Sequence, residues 1–258
     1  MSEIAGAGWP EGYERRILEE VSSTMDAAAA AATELTRPTW IFARQQTGAR
    51  GRRGRAWAMP EGNFAATLLL KPEGAVGQVA LRSFAAALAL DAALQAVGVP
   101  EGDLALKWPN DVLYRGGKLA GILLESEAMP QPTPAKAATG VAWLSIGFGV
   151  NIAAAPEPQP DAAFRPIALA PKHRVTPERF LEHLAQAYAV WEARFGADGF
   201  GPLRAAWLMR AARLGQEVTA RIGAGQVSGR FETVDEEGNL VLETDTGQRR
   251  IAAAEIYF

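Results

Sequence analysis

Leu104-Ala105-Leu106-Lys107-Trp108-Pro109-Asn110-Asp111-Val112-Leu113-Tyr114-Arg115-Gly116-Gly117-Lys118-Leu119-Ala120-Gly121-Ile122-Leu123-Leu124-Glu125 is the stretch on which the reading turns. Three short runs, Leu104–Lys107, Asp111–Tyr114 and Leu119–Glu125, are parted by turn residues and read as strands. Pro109 fixes a turn, and the strand before it delivers Lys107 to its edge. A cation, an amide and a carboxylate (Lys107, Asn110, Asp111) thus fall at one place. Read alone, this is more readily an ordinary Pro-Asn-Asp turn with a surface lysine. Lys118 stands at the start of the next strand. The chain holds 26 Lys plus Arg, but only five are Lys, at positions 71, 107, 118, 136 and 172. Two of those five in one hairpin argue against chance. Gly121 inside an apolar strand marks either a bulge or the close approach of a ligand or another backbone.

Upstream, Thr39–Arg44 and Asn63–Leu70 read as strands. Gln45–Pro60 between them is rich in Gly and Arg and cannot be a regular element. Within it, Gly48-Ala49-Arg50-Gly51-Arg52-Arg53-Gly54-Arg55 precedes Trp57. Like charges at this density repel one another and need an anion to settle. Phosphate is the natural partner, because Arg offers forked donors and Gly lets backbone N–H groups approach. A solvated loop and an RNA-binding arginine patch stay open at this point. Ser23 caps a helix with Asp26 three residues on, and the Ala-rich run to Leu35 ends before Pro38. Gly77–Val97 reads as one long helix, with Val79, Phe84, Leu88 and Leu94 among its apolar positions.

Downstream, Met129–Pro134 reads as an exposed hairpin tip and Val141–Asn151 as a strand. Its end, Ile146-Gly147-Phe148-Gly149-Val150-Asn151, leaves one face bare. That suits tight sheet packing or the floor of a slot for a flat ligand, and it is not a dinucleotide fingerprint. Pro156–Pro171 is an irregular connector. Thr176-Pro177 starts a helix to about Phe195, and a second covers about Pro202–Arg213. The tail alternates instead: Val218, Ala220 and Ile222, then Val227, Gly229 and Phe231, then Leu240 and Leu242, with turns at Asp235–Asn239 and Asp245–Gln248. That is a small all-β barrel behind an α/β region.

The whole composition bounds the function. A chain of 258 residues makes one or two domains and can bury a full core. Hydrophobic residues make up 48%, though 51 of the residues are Ala, which suits helices. With 21% charged residues and a net charge of −3, a globally basic nucleic-acid binder and a disordered chain are both excluded. There is no Cys, so thiolate nucleophiles and zinc–sulfur sites are excluded, and two His speak against a multi-histidine metal site. No apolar run of about 18 residues exists, and Met1–Gly12 lacks a basic-then-apolar signal pattern. A cytoplasmic protein with no membrane partner is expected.

Taken together, the arginine–glycine loop, Lys107-Trp108-Pro109-Asn110-Asp111, Gly117-Lys118-Leu119-Ala120-Gly121-Ile122-Leu123 and Gly149-Val150-Asn151 resemble the biotin protein ligase family, in order. Ser22-Ser23-Thr24 and the β-rich tail match as well, so the resemblance runs from about Val21 to Phe258. It implies an α+β fold: a mixed-sheet biotin/lipoyl ligase catalytic domain over residues 1–213 and an SH3-like β-barrel over 214–258. It implies a reaction in which biotin and ATP form biotinyl-AMP. The biotinyl group then passes to a lysine of the biotin carboxyl carrier domain of acetyl-CoA carboxylase or a related carboxylase. ATP would come with Mg²⁺, and no protein metal site is expected.

By the same resemblance, Lys107, Arg52, Lys118 and Asp111 are the catalytic candidates. Lys107 faces the α-phosphate and the biotin carboxylate, Lys118 the acyl-phosphate oxygens, and Asp111 the carrier lysine or magnesium. Ser23, Thr24, Gln46, Arg50, Trp57, Lys118 and Gly121 would hold biotin. Arg50, Arg52, Arg53, Arg55, Lys107, Asn110 and Asn151 would hold the nucleotide. Two departures stand out. Gly48-Ala49 reverses the usual Ala-Gly, so a methyl stands where glycine usually lies against biotin, and Met25 replaces a common Asn. The twenty residues before Val21 are too few for the helix-turn-helix repressor domain of some relatives, so no DNA partner is expected. A homodimer is compatible with the family. The alternatives are a lipoate-type ligase, which lacks this loop, and a family member that binds biotin without ligating it.

Overall fold

The computed structural model describes residues 8–129, 140–158 and 163–258. Of the features expected above, Pro130–Pro134 of the hairpin tip, residues 159–162 of the connector and residues 1–7 lie outside the described residues.

A seven-stranded mixed sheet organises the larger part of the chain. Its strands are β1 (Glu14–Val21), β2 (Thr39–Gln46), β3 (Phe64–Leu70), β4 (Leu104–Lys107), β5 (Asp111–Tyr114), β6 (Gly117–Ala128) and β7 (Val141–Val150). Their order is β1-β2-β3-β7-β6-β5-β4. β1 and β2 run parallel, and every other neighbouring pair is antiparallel. β1 is absent from the sequence reading. It is an exposed edge strand, Glu14-Arg15-Arg16-Ile17-Leu18-Glu19-Glu20-Val21, with no buried residue and hence no apolar alternation. Its charges blunt the open edge against pairing with another chain.

Helix α1 (Thr24–Ala31) covers one face, where Ala28 and Ala32 pack on Ile41 and Leu69. Ser23 caps it as expected, its Oγ accepting from the Met25 N–H. The other face carries α2 (Val76–Ala80), α3 (Arg82–Ala96), α4 (Pro177–Asp198) and α5 (Phe200–Met209) over the main core. The single helix expected over 77–97 is thus two, parted at Leu81, whose N–H turns to the Gln78 carbonyl. The Val76–Ala96 span is long and apolar enough to cross a membrane, but most of it is buried in this core. α5 stops at Met209 instead of continuing to Arg213. Arg210 reaches the carbonyls of Glu101 and Leu104 and the Asp91 carboxylate. Leu106 of β4 then pairs with Arg210 and Ala212, which covers that edge of the sheet.

The tail forms a separate five-stranded antiparallel sheet: β8 (Glu217–Ile222), β9 (Gly225–Val234), β10 (Leu240–Thr244), β11 (Gly247–Ile251) and β12 (Glu255–Tyr257), in the order β11-β10-β9-β8-β12. It docks on the larger part through its β9–β10 turn. Gly238 there has φ +82°, and an added Cβ would stand 2.9 Å from Leu81, so the turn needs glycine on two counts. The Gly238 carbonyl accepts the Trp108 indole N–H at 3.1 Å, which ties the small sheet to the Lys107–Asp111 turn.

Candidate active site

One cavity of about 230 Å³ opens on the α1 side of the large sheet. Every residue expected to bind or react lines it except Asn151. Asn151 is buried at the end of β7, and its side-chain amide donates to the Ile167 carbonyl at 3.2 Å. It holds the connector that forms one wall of the cavity.

The reactive end is built by the β4–β5 turn. Lys107 and Asp111 face each other in register across that hairpin. Lys107 Nζ lies 3.2 Å from Asp111 Oδ2, and Lys118 Nζ lies 2.7 Å from Oδ1. Lys107 is 4% exposed and Asp111 7%, so the carboxylate holds one buried cation and, in Lys118, one that is partly exposed. Burial pushes the Asp111 carboxyl up, but Lys118 and Lys107 outweigh it and hold the group below the ordinary carboxylate range. For Lys107 burial wins over the attraction of Asp111, so its ammonium titrates below the ordinary lysine range. Asn110 fixes the turn, donating from Nδ2 to the Ile122 carbonyl at 2.5 Å.

The polar end is built by the start of α1 and the end of β2. Gln46 Oε1 accepts the Thr24 N–H at 2.6 Å and lies 3.0 Å from the Thr24 hydroxyl. The Thr67 hydroxyl donates to Thr24 Oγ1 at 2.8 Å. The glycines of the sheet make the floor between the two ends. Gly121 and Gly149 face each other across β6 and β7. The Trp57 indole lies on both: a Cβ on Gly149 would stand 2.6 Å from it, and one on Gly121 3.2 Å. The sequence left a bulge, a ligand or another backbone open at Gly121; the structure instead lays a side chain, the Trp57 indole, on both glycines.

The arginine–glycine loop folds over the cavity as a tight hairpin. Gly51 N–H donates to the Arg55 carbonyl at 2.7 Å and Trp57 N–H to the Ala49 carbonyl at 2.9 Å. Arg53, at φ 58°, and Gly54, at φ 71°, turn it through the left-handed region. The charge density of the loop asks for an anion, and the fold supplies carboxylates. Arg50 bonds Glu125 at 2.9 and 3.2 Å and Asp26 at 2.6 Å, which raises its affinity for its proton. Arg55 forms a fork with Glu255 at 2.7 and 2.9 Å. Arg52 reaches the Asn110 side chain at 3.3 Å and the Ala254 carbonyl at 3.5 Å, and burial lowers its pKa. Gly48, beside Ala49, does not use the left-handed region; its N–H donates to the Ser22 carbonyl at 2.7 Å.

Among the lining residues that the sequence reading did not single out are Phe164, Ala254 and Glu255. The Phe164 ring lies 4.9 Å from Lys107 Nζ and 4.7 Å from the Phe258 ring. They come from the connector and the last strand, and no local pattern ties those segments to the hairpin.

The geometry can be set beside known proteins. The biotin/lipoate A/B protein ligase family matches residues 17–141, and the biotin protein ligase C-terminal domain matches residues 214–258. A biotin–[acetyl-CoA-carboxylase] ligase of Paracoccus denitrificans is 45% identical, covering 94% of this chain and 99% of its own length. One from Mycobacterium tuberculosis is 32% identical, covering 97% and 89%. Among solved structures, a biotin protein ligase from Aquifex aeolicus in complex with biotin and ATP superposes with a TM-score of 0.74. It is 24% identical and covers 94% of this chain and 97% of its own.

Proposed function

The chain belongs to the biotin/lipoate A/B protein ligase family, and on that premise we propose how its cavity carries out the reaction of a biotin–protein ligase. The activity is ATP-dependent and AMP-forming. A biotin carboxylate oxygen attacks the α-phosphorus of ATP, the bond to the β-phosphate breaks, and pyrophosphate leaves. The amine of a carrier lysine, having given up its proton, then attacks the acyl carbon of biotinyl-AMP. An amide forms and AMP leaves.

The observation that carries this reading is the Lys107–Asp111–Lys118 cluster, with Lys107 and Asp111 buried, set across one cavity from the Thr24–Gln46 pair. Two anions must meet for the first step, and fixed cations in a dry site stabilise the charge that builds on phosphorus. Lys107 and Lys118 hold the phosphate and carboxylate oxygens. Asp111 holds both lysines in place; its low pKa makes it a weak proton acceptor at neutral pH. Thr24, Gln46 and Ser23 take the polar ring head of biotin, and Trp57 with Gly121 forms its apolar wall. Arg50, Arg52, Arg53 and Arg55 close over the phosphates, and Phe164 offers a flat face to the adenine base. Magnesium belongs to the ATP complex. Both Asp111 oxygens already face lysines, and no cluster of three or more His, Asp or Glu that could hold a metal occurs among the described residues.

The chain works as a catalytic region over 1–213 with the small sheet of 214–258 completing its cavity. Its partner is a carboxylase carrier domain in the cytoplasm, not DNA; the net charge of −3 and the inward use of the loop arginines favour that choice. The test is to incubate the protein with biotin, ATP and a carrier domain, then weigh the carrier. One biotinyl increment is expected, with none when lipoate replaces biotin. An unchanged carrier mass with biotin would overturn the reading.

A further inference from the structure

Met25 follows directly on Thr24, at the polar end of the cavity, and is 4% exposed. Its thioether covers the face of β7 at Gly147. A Cβ built on Gly147 would stand 2.7 Å from Met25 Sδ and 3.3 Å from its Cγ. The same Cβ would stand 3.6 Å from the Leu123 carbonyl, so backbone walls it on the side of β6. Both Met25 and Gly147 line the cavity. Gly147 keeps a φ open to any residue, so only the methionine, and no backbone angle, asks for glycine there. Behind Met25, α1 is fixed by the Ser23 cap and by packing of Ala28 on the sheet. The thioether also lines the cavity, so a group added on Gly147 would press it toward that space.

We propose that Met25, seated on Gly147, sets the room available to the biotin ring and is a binding residue of this site. The inference rests on the biotin-ligase reading above. Methionine suits such a wall because it is unbranched and polarizable, and it fills irregular gaps against a flat ligand. It adds no polar group, so hydrogen bonding of the ring head stays with Thr24 and Gln46. Volume at this wall is shared by three occupants: the thioether, the bare face of Gly147 and the ring.

Shared volume predicts coupling. Gly147→Ala pushes Met25 inward and should raise the KM for biotin about tenfold, the scale of one misplaced methyl in a tight pocket. Met25→Ala removes contact area and should raise it by about the same factor. The double variant trades one for the other and should return to within about threefold of the parent. Met25→Leu keeps the volume and should stay within about twofold. The KM for ATP should hold constant in all four, whereas a loss of folded protein would lower Vmax and leave the KM for biotin unchanged as well. Melting temperatures taken alongside identify any variant that is misfolded. Pyrophosphate release with biotin varied and ATP saturating is the measurement. A Gly147→Ala protein with the parent's KM for biotin, or a double variant no better than Gly147→Ala, overturns the proposal. If the parent itself releases no pyrophosphate with biotin, the ligase reading falls instead.

Discussion

Asp111→Asn isolates the electrostatics at the reactive end. The substitution keeps the shape of the side chain and removes its charge, leaving two ammonium groups facing a neutral amide. At an effective dielectric of about 20, contacts of 3.2 and 2.7 Å amount to roughly 5 and 6 kcal/mol of gross attraction. Lys118 is partly exposed and can turn to solvent, whereas Lys107 is buried and cannot. The net loss therefore falls on Lys107 and should be about 3–5 kcal/mol, the usual result of stranding a buried charge. Urea unfolding at pH 7 reads it directly. The pH dependence supplies an internal check. Burial already places the folded Lys107 value below its unfolded value near 10.4, so the unfolded chain binds more protons in that window and stability rises with pH. Losing Asp111 lowers the folded value further and widens the window downward. The variant should regain stability as pH rises above neutral, sooner than the parent. The opposite limb belongs to Asp111: its folded value lies below the unfolded one, so its stabilisation is present above about pH 4 and is lost as pH falls. Lys107→Met in the Asp111→Asn background should restore more than half of the loss. A loss under about 1 kcal/mol at pH 7, or no recovery on raising pH, refutes the argument.

Lys107→Ala should slow pyrophosphate release by about two to three decades while biotin binding, followed by calorimetry, persists. Glu255→Gln removes the charge that the Arg55 guanidinium grips, so amide exchange over residues 48–56 should speed up, and leaked adenylate should label lysines on a bystander protein; exchange equal to the parent's counts against a holding role for this pair. Gly149→Ala cannot coexist with the present Trp57 position, so indole fluorescence should shift and the KM for biotin should rise about tenfold or more.

How far the sequence carried the site depends on the reach of each signal. The Lys107–Glu125 hairpin was legible strand by strand, because short apolar runs broken by Pro and Gly specify local pairing, and it holds the two lysines and their carboxylate. Trp57 was placed near Gly121 by resemblance, but the register that sets Gly121 opposite Gly149 beneath one indole is a tertiary fact. β1 was missed because an edge strand with charged side chains on both faces carries no alternation. Glu255, Ala254 and Phe164 were missed for another reason: they join the cavity through contacts across much of the chain. The need of the loop charges for an anion was legible, but the sequence pointed to phosphate and does not say that Glu125, Asp26 and Glu255 stand ready to meet them.

The bonds from Arg52 to Ala254 and from Arg55 to Glu255 span 202 and 200 positions of sequence. Closing so long a loop costs entropy before any contact repays it, so the finished cavity depends on the whole chain being folded. Ligand linkage then reaches the whole molecule. A ligand seated in this cavity, whose lining includes both the hairpin and Ala254–Glu255, would bind the assembled chain and add stability as RT ln(1 + [L]/Kd), about 4 kcal/mol at a thousandfold excess over Kd. A cell short of biotin would then hold this protein nearer its unfolding threshold and lose more of it to proteolysis, making its abundance follow vitamin supply with no regulator involved.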